Sequence, residues 1–352
     1  MIFFLIPCAY QLFVILACLW RRSQQPVASS QNASVLKPVS GAGGNLRAAL
    51  ASHSRLEAEL LCGVSSIDDP AVAIIREFPK ARLIVCSTIT PNAKVGVLID
   101  LVTAARRDII VVNDSDICVE PDYLARVTAP LADPKVGLVT CLYRAVGDTF
   151  AARFEALGVA TDFAPSTLVA RMVGVDEFAM GSTLAFRKAD LEKIGGFASV
   201  SDYLADDYQL GHRLHSLGLK CVLSDVIVET HLGGGWLDVW RHQIRWARTI
   251  RVSKFWGYLG LPVTYATLWA VVAAACGRWG IALAILVIRM TMAFVAGWVK
   301  MRSADVLRLF FLVPVRDLFG VAVWVVGLFG NTVWWRGRKL RIDREGRIIM
   351  VI

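Results

Sequence analysis

Residues Val111-Val112-Asn113-Asp114-Ser115-Asp116 run an apolar stretch directly into Asp-x-Asp. Two carboxylates at that spacing on a strand end can share one divalent cation whose other ligands are diphosphate oxygens, and hard oxygen donors select Mg2+ or Mn2+. Such an ion offsets the charge that builds on a departing diphosphate. Taken alone, an Asp-x-Asp is more often an ordinary solvated turn. A second cluster, Leu204-Ala205-Asp206-Asp207-Tyr208, opens a helical segment. Acids there favour the helix N-terminus as caps and through the dipole, or one of them is a general base that takes the proton of an attacking hydroxyl. The third cluster is His242-Gln243-Ile244-Arg245-Trp246, within a helical run over 236–252. Arg241, Arg245 and Arg248 share one face of that run, beside an apolar stripe of Trp236, Trp240, Ile244 and Ala247. This reads as a basic amphipathic helix lying on a membrane surface, from which Gln243, Arg245 and Trp246 can still point at a ligand.

The elements that must position these groups follow an alternating rhythm. Strand candidates fall at 33–37, 57–64, 81–86, 109–113 and 136–143, with amphipathic segments near 46–53, 70–78, 94–106 and 121–132. That alternation predicts a doubly wound α/β sheet, whose ligands sit beyond the carboxyl ends of the strands. Asp68-Asp69 follows the second strand candidate and Asp114-Ser115-Asp116 the fourth, so both acidic groups fall at that edge. Gly41, Gly43 and Gly44 form a flexible turn rather than a phosphate loop, because no GxGxxG follows a strand there.

The 352 residues are 56% hydrophobic, with a mean hydropathy of +0.54 and 19% charged residues. This is too apolar for an ordinary soluble enzyme and too charged for membrane throughout. Residues 2–20 are uncharged and about long enough to cross a hydrocarbon core. Arg21 and Arg22 follow the run, and no small-residue cleavage site does, which predicts an uncleaved anchor with its positive flank in the cytoplasm. A Ser/Gln/Ala-rich linker spans 23–34. Near the other end, 257–276 and 280–299 are the two good membrane spans, and 304–335, with Arg308, Pro314, Arg316 and Asp317, reads most simply as interfacial or re-entrant, with four short crossings over 257–335 as the alternative. The organisation expected is therefore an anchor over 1–22, a cytoplasmic catalytic domain over 33–235 and an interfacial helix over 236–256. Membrane helices over 257–335 and a basic tail over 336–352 follow.

The net charge of +9 fits basic flanks against anionic headgroups and partners for a diphosphate. Nucleic-acid binding is set aside, since no basic stripe with interleaved aromatics lies outside the membrane-proximal stretches. Eight cysteines without a CxxC read as reduced thiols facing the cytoplasm, and His212 and His215 read as surface polar residues rather than metal ligands. No obligate protein partner is evident.

The order acidic pair, Asp-x-Asp, acidic helix start, Gln-x-x-Arg-Trp resembles processive and lipid-directed family-2 glycosyltransferases. More closely, the chain resembles the ceramide glucosyltransferase group and its bacterial relatives that glycosylate hopanoids. The resemblance is carried by Val35-Leu36-Lys37-Pro38 with Gly41, Asp68-Asp69-Pro70, Asn92-Ala93-Lys94-Val95 and Asp114-Ser115-Asp116 with Pro121-Asp122. It continues through Lys135-Val136-Gly137-Leu138-Val139, Gly181 before an apolar strand, and the ending Asn331-Thr332-Val333-Trp334-Trp335-Arg336-Gly337-Arg338. It departs at Ser66, where some relatives carry Asp, and at Val97, where an Asn is expected.

What the resemblance implies is a GT-A fold, a doubly wound mixed sheet with membrane helices at both ends. It implies an inverting hexosyltransferase that moves glucose or N-acetylglucosamine from a UDP-sugar to a membrane lipid alcohol, ceramide or a hopanoid polyol. By it, Asp68 or Asp69 contacts the nucleoside, Asp114 and Asp116 hold nucleotide and metal, and Lys94 lies near the donor. Gly181 borders the sugar, Asp207 is the base with Asp206 beside it, and Gln243, Arg245 and Trp246 close over diphosphate and acceptor. It further implies an integral membrane protein, in a bacterial inner membrane, with its catalytic domain cytoplasmic. A processive polysaccharide synthase shares the motifs, but two or three apolar segments are too few to conduct a polymer.

Overall fold

The computed structural model describes residues 2–20, 32–43 and 45–351. The expected flank at Arg21 and Arg22, Gly44 and most of the 23–34 linker lie outside these. The strands are β1 (Ala33–Pro38), β2 (Glu59–Val64), β3 (Ala81–Val85), β4 (Ile109–Val112), β5 (Val136–Gly147), β6 (Leu184–Arg187), β7 (Lys220–Leu232), β8 (Thr332–Trp335), β9 (Arg338–Ile342) and β10 (Ile348–Val351). The helices that carry the argument are α1 (Ile2–Leu19), α2 (Ala93–Ala104), α3 (Phe150–Gly158), α4 (Asp206–Ser216), α5 (Trp236–Ser253), α6 (Trp279–Phe294) and α7 (Val313–Gly327). The chain divides into two compact units. One holds the described residues up to Tyr143 from 32 onward, with Val175–His231; the other holds α1, Arg144–Gly174 and Leu232–Ile352. Residues 144–174, which the sequence reading puts in the catalytic domain, thus group with the second unit.

The first unit is built on a mixed sheet of order β3-β2-β1-β4-β6-β5-β7. β1 pairs in parallel with β2 and β4, and β2 with β3, while β6 runs antiparallel to both β4 and β5. Alternate residues of each strand enter two different cores. Val35, Cys62 and Val111 join one apolar cluster, and Leu36, Leu61, Ile110 and Val112 the other. A sheet covered on both faces explains why its strands read as continuous apolar runs. The order reverses at β1, with β2 on one side and β4 on the other, and a crevice opens beyond the strand ends at such a switch point. Gly41 follows β1 there and Asp114 follows β4.

The second unit contains two helices long and apolar enough to cross a membrane, Trp279–Lys300 and Phe310–Gly327, and a pair, Phe255–Thr264 with Ala266–Ala275, bent by 59°. The candidate span at 280–299 is found as such. That at 257–276 is broken, because Pro262 lies in a short 3-10 turn and its carbonyl accepts the Trp269 indole N–H at 2.9 Å. The stretch read as interfacial holds a span-length helix instead. Pro314 sits in the first turn of α7, where a missing N–H leaves no hydrogen bond unmade, so it begins the helix rather than interrupting it. Arg316 and Asp317 are buried and paired within the unit, which removes the objection to their lying in a span. α1 is an apolar helix of intermediate length, packed through Val14 and Cys18 against Met292 and Ala296.

Candidate active site

In the sheet unit, the loop after β4 is held from beneath by buried polar side chains. Asn113 donates to Ser182 O at 2.7 Å and to the Tyr123 hydroxyl at 2.9 Å, and its Oδ1 lies 3.2 Å from His53 Nε2. Lys37, fully buried on β1, donates to Asp114 O at 2.9 Å. Burial lowers its pKa to about 8, and burial beside Lys37 pushes the His53 imidazole down to about 3, so that ring stays neutral. These contacts present Asp114 and Asp116 at the strand end, with Asp116 Oδ2 accepting the Thr230 hydroxyl from β7. His53 and Thr230 carry no motif in the sequence, and Lys37 enters it only within Val35-Leu36-Lys37-Pro38, with no role assigned there. The one signal is a lysine inside an otherwise apolar strand.

The charged groups converge on Gly181, in the turn before β6. A Cβ added at Gly181 would lie 3.2 Å from Asp207 Oδ2 and 3.4 Å from both Asp114 Oδ2 and Lys94 Nζ. Lys94 enters from the first turn of α2, where Asn92 caps the helix by accepting from Lys94 N at 3.1 Å. Its ammonium lies 2.8 Å from Asp114 Oδ1 and 3.4 Å from Asp206 Oδ2. Burial alone would lower the Lys94 pKa, but Asp114, Asp206 and Asp207 together raise it well above normal, so it is a fixed cation.

Asp206 and Asp207 open α4 but do different things. Asp206 is buried, facing Lys94 and the Asn92 amide. Asp207 accepts from Gly181 N at 2.7 Å and Tyr208 N at 2.8 Å. Burial and the neighbouring Asp206 charge raise its pKa to about 6, against the pull of Lys94 and the two N–H donors. A carboxylate poised near neutrality is suited to accept a proton from a bound hydroxyl. The structure therefore brings together Lys94, Asp114, Asp206, Asp207 and Gly181.

Asp68 and Asp69 separate clearly. Asp69 accepts from Gly41 N at 3.0 Å and Ala71 N at 2.8 Å, which joins the turn after β1 to the loop after β2. Gly41 has φ +76°, a conformation that disfavours a side chain. Asp68 is exposed, and its carboxylate makes no hydrogen bond among the described residues. Val97 lies in the core, its side chain against Gly63, which is why no polar residue stands there.

A divalent cation can be held here only in part by protein groups. Asp114 Oδ2 and Asp116 Oδ1 are hard donors with no hydrogen bond among the described residues. No three His, Cys, Asp or Glu side chains are grouped to complete a site among those residues. The donor set fits an ion that takes its other ligands from a diphosphate. His212 and His215 face separate acids, Glu177 at 3.2 Å and Asp176 at 3.6 Å.

Gln243, Arg245 and Trp246 lie on α5 in the other unit. Gln243 is buried, donating to Glu155 Oε1 at 2.7 Å and accepting from Arg316 Nη2 at 2.7 Å. His242 Nδ1 meets the same Glu155 oxygen at 2.7 Å, so one carboxylate on α3 fixes two consecutive residues of the motif. Burial would raise the Glu155 pKa, but His242, Gln243 and Arg316 hold it below the usual range. Trp246 packs edge-on against His242, ring centroids 4.6 Å apart, and against Phe163 at 5.3 Å. Glu155 and Arg316 were not foreseen in this role, since each pairs across more than 70 residues of chain.

A profile of Glycosyl transferase family 21 matches residues 1–348. Ceramide glucosyltransferase 1 of Caenorhabditis elegans is 29% identical over 212 residues, 57% of this chain and 45% of that protein. Ceramide glucosyltransferase 3 of the same organism is 28% identical over 209 residues, 56% of this chain and again 45% of the relative. The matched stretch thus spans less than half the length of these curated relatives. Among solved structures, the mannosyltransferase PcManGT of Pyrobaculum calidifontis, in complex with GDP-Man and Mn2+, superposes with a TM-score of 0.54 at 19% identity, covering 92% of this chain and 95% of that one. That likeness shows a shared fold, the GT-A fold expected from the motifs. The match over nearly the whole length places the chain in glycosyl transferase family 21.

Proposed function

We propose that this protein transfers a hexose, glucose or N-acetylglucosamine, from a UDP-sugar to the hydroxyl of a membrane lipid, with inversion at the anomeric carbon. The observation that carries the reading is the space at Gly181, bounded by the oxygens of Asp207 and Asp114 and by the Lys94 ammonium within 3.4 Å. Asp207, held by two main-chain N–H groups, takes the proton of the lipid alcohol as its oxygen attacks the anomeric carbon. The bond to the UDP oxygen breaks on the opposite face, and one displacement needs no covalent sugar–protein intermediate. Lys94 stabilises negative charge at the leaving diphosphate. Asp114 and Asp116 would hold a divalent cation, Mg2+ or Mn2+, which would supply further neutralisation of the leaving group's charge. Asp68, the outward carboxylate, is the one assigned to the nucleoside, while Asp69 shapes the loop. The role expected of Arg245 toward the diphosphate is part of the same proposal, and Arg245→Gln would weaken UDP binding if it holds.

The same reading puts the catalytic residues on the cytoplasmic side of the membrane, supported by the exposed Arg336, Arg338, Arg341, Arg344 and Arg347. Membranes containing the protein, incubated with radiolabelled UDP-glucose or UDP-N-acetylglucosamine, should yield a labelled lipid whose mass gives one added hexose. That mass also tells ceramide from a hopanoid polyol. Label recovered in a polymer would make the protein a processive synthase. Absence of both product and UDP binding, with Mn2+ or Mg2+ present, would remove the enzymatic reading.

A further inference from the structure

In the membrane unit, a cavity of about 430 Å³ lies between α5, the end of α7 and the C-terminal β-sheet. Its walls are apolar, with Leu237 and Ile244 on α5, Val326 on α7 and Val333 on β8. Its rim is cationic. Trp334 on β8 and Lys339 on β9 are directly paired across the antiparallel ladder and so share a face. Arg241 lies over the Trp334 ring, its guanidinium carbon 4.3 Å from the centroid. Arg248 completes the rim, turned to the carbonyls of Phe329 and Thr332. No acidic side chain lines the cavity, and neither Arg241 nor Lys339 makes an ion pair among the described residues. Arg241 and Lys339, without an oxygen partner among the described residues, are like charges beside an apolar slot and are unfavourable to each other until an anion joins them.

The place of the slot says which anion. Val326 is in the last turn of Phe310–Gly327, a helix of length and composition to cross a membrane. Leu237 is 58% exposed and Val326 37%, on an amphipathic helix and at a span end. An end of a spanning helix lies at the depth of lipid headgroups, with acyl chains beginning just below. We propose that this cavity binds one anionic phospholipid, its phosphate between Arg241, Arg248 and Lys339 and the first part of an acyl chain along Leu237, Ile244, Val326 and Val333. This site is distinct in residues from the sugar-transfer centre and does not depend on that assignment.

The test uses the full chain in neutral detergent, with phosphatidylglycerol and phosphatidylcholine as probes and retained lipid read by native mass spectrometry. One phosphatidylglycerol per chain should be retained in preference to phosphatidylcholine. The double substitution Arg241→Gln/Lys339→Gln removes two charges worth roughly 1 kcal/mol each toward an anionic headgroup, so retention should fall about tenfold or more. Arg336→Gln/Arg338→Gln removes the same charge from exposed positions on the same sheet and should change retention less than about twofold. Val326→Trp keeps every charge and fills the slot, and should also abolish retention. Equal losses in the two double variants, unchanged retention in Val326→Trp, or displacement of the lipid by millimolar inorganic phosphate would each overturn the proposal.

Discussion

Two buried charge clusters in this protein use the same chemistry to opposite ends. In the membrane unit, Arg289 is fully buried against Asp317, also fully buried, with N···O contacts of 2.6 to 3.2 Å. The remaining donors reach Asp162 Oδ1 at 2.8 Å and Thr161 O at 3.1 Å, and Asp317 Oδ2 also accepts from the Thr267 hydroxyl at 2.6 Å. In the sheet unit, one ammonium, Lys94, serves three carboxylates, and Asp114 keeps 40% of its side chain exposed. The first cluster is enclosed, its side chains at most 17% exposed. The second keeps an open face beside its acids, which is the arrangement expected where a ligand completes the site. Neither burial of charge nor an excess of acid marks a functional site, since Arg289 also faces two carboxylates; the exposed edge does.

The largest effect expected from breaking this contrast is at Asp207. Asp207→Asn keeps the shape and one acceptor but cannot take a proton, so transfer should fall by a factor of about 10²–10⁴. UDP affinity by calorimetry should stay within a few-fold, and thermal stability within about 1 kcal/mol, the value of one hydrogen bond. Normal turnover would remove Asp207 from the role. The other cluster should respond the other way. Removing one partner, as in Asp317→Ala, leaves a guanidinium buried with Asp162 alone, and breaking such a pair costs about 3–5 kcal/mol. Replacing the whole group, Arg289→Met with Asp317→Leu and Asp162→Asn, leaves no carboxylate without its cation and should recover much of that loss, read as the midpoint of thermal unfolding in detergent. If the triple variant is no better than the single, the cluster is not a self-contained structural group.

Gly181→Ala sharpens the contrast from the side of space rather than charge. The added methyl would meet three charged groups at 3.2–3.4 Å, tight but not a backbone collision, so the fold should survive. It would stand where the reacting atoms are assigned, and kcat/KM should drop by about 10² or more, since small misplacement at a reacting centre has that effect. Unaltered kinetics would place the sugar elsewhere.

How much of this could be read from the chain differs between the same two regions. β1 to β4 lie within two residues of the strands expected, because burial on both faces writes long apolar runs into the sequence. β5 runs four residues further, to Gly147, and β7, with its exposed and half-buried positions, is not among the candidates. Lys94, Asp114 and Asp207 were legible because each begins or ends an element in a known order of motifs. The supports were not. Lys37, His53 and Thr230 act through contacts with residues 60 or more positions away, and no local pattern records that. In the membrane unit, Arg316 and Asp317 argued against a span when read alone. Their partners, Gln243 and Arg289, are distant in sequence, so the neutralisation that lets α7 be a span-length helix is visible only once it is folded.

The smallest expected effect is also the one that tests the raised Asp207 pKa directly. The active form is the carboxylate, so kcat/KM should be flat above about pH 7 and fall toward tenfold per unit below pH 6, the value at which burial and Asp206 place it. The sign for stability is opposite. A carboxyl raised in the folded state above its model value of 3.8 binds its proton in the native chain before the unfolded chain does. Between pH 6 and about 4 the native state therefore holds more protons at this group, and its contribution to stability grows as pH falls. Comparing wild type with Asp207→Asn removes every other titration common to both. Over that range the stability of the wild type should gain on the variant while its rate is being lost. A difference that stays constant with pH would mean that Asp207 is already ionised at pH 4, and that Lys94 outweighs burial and Asp206.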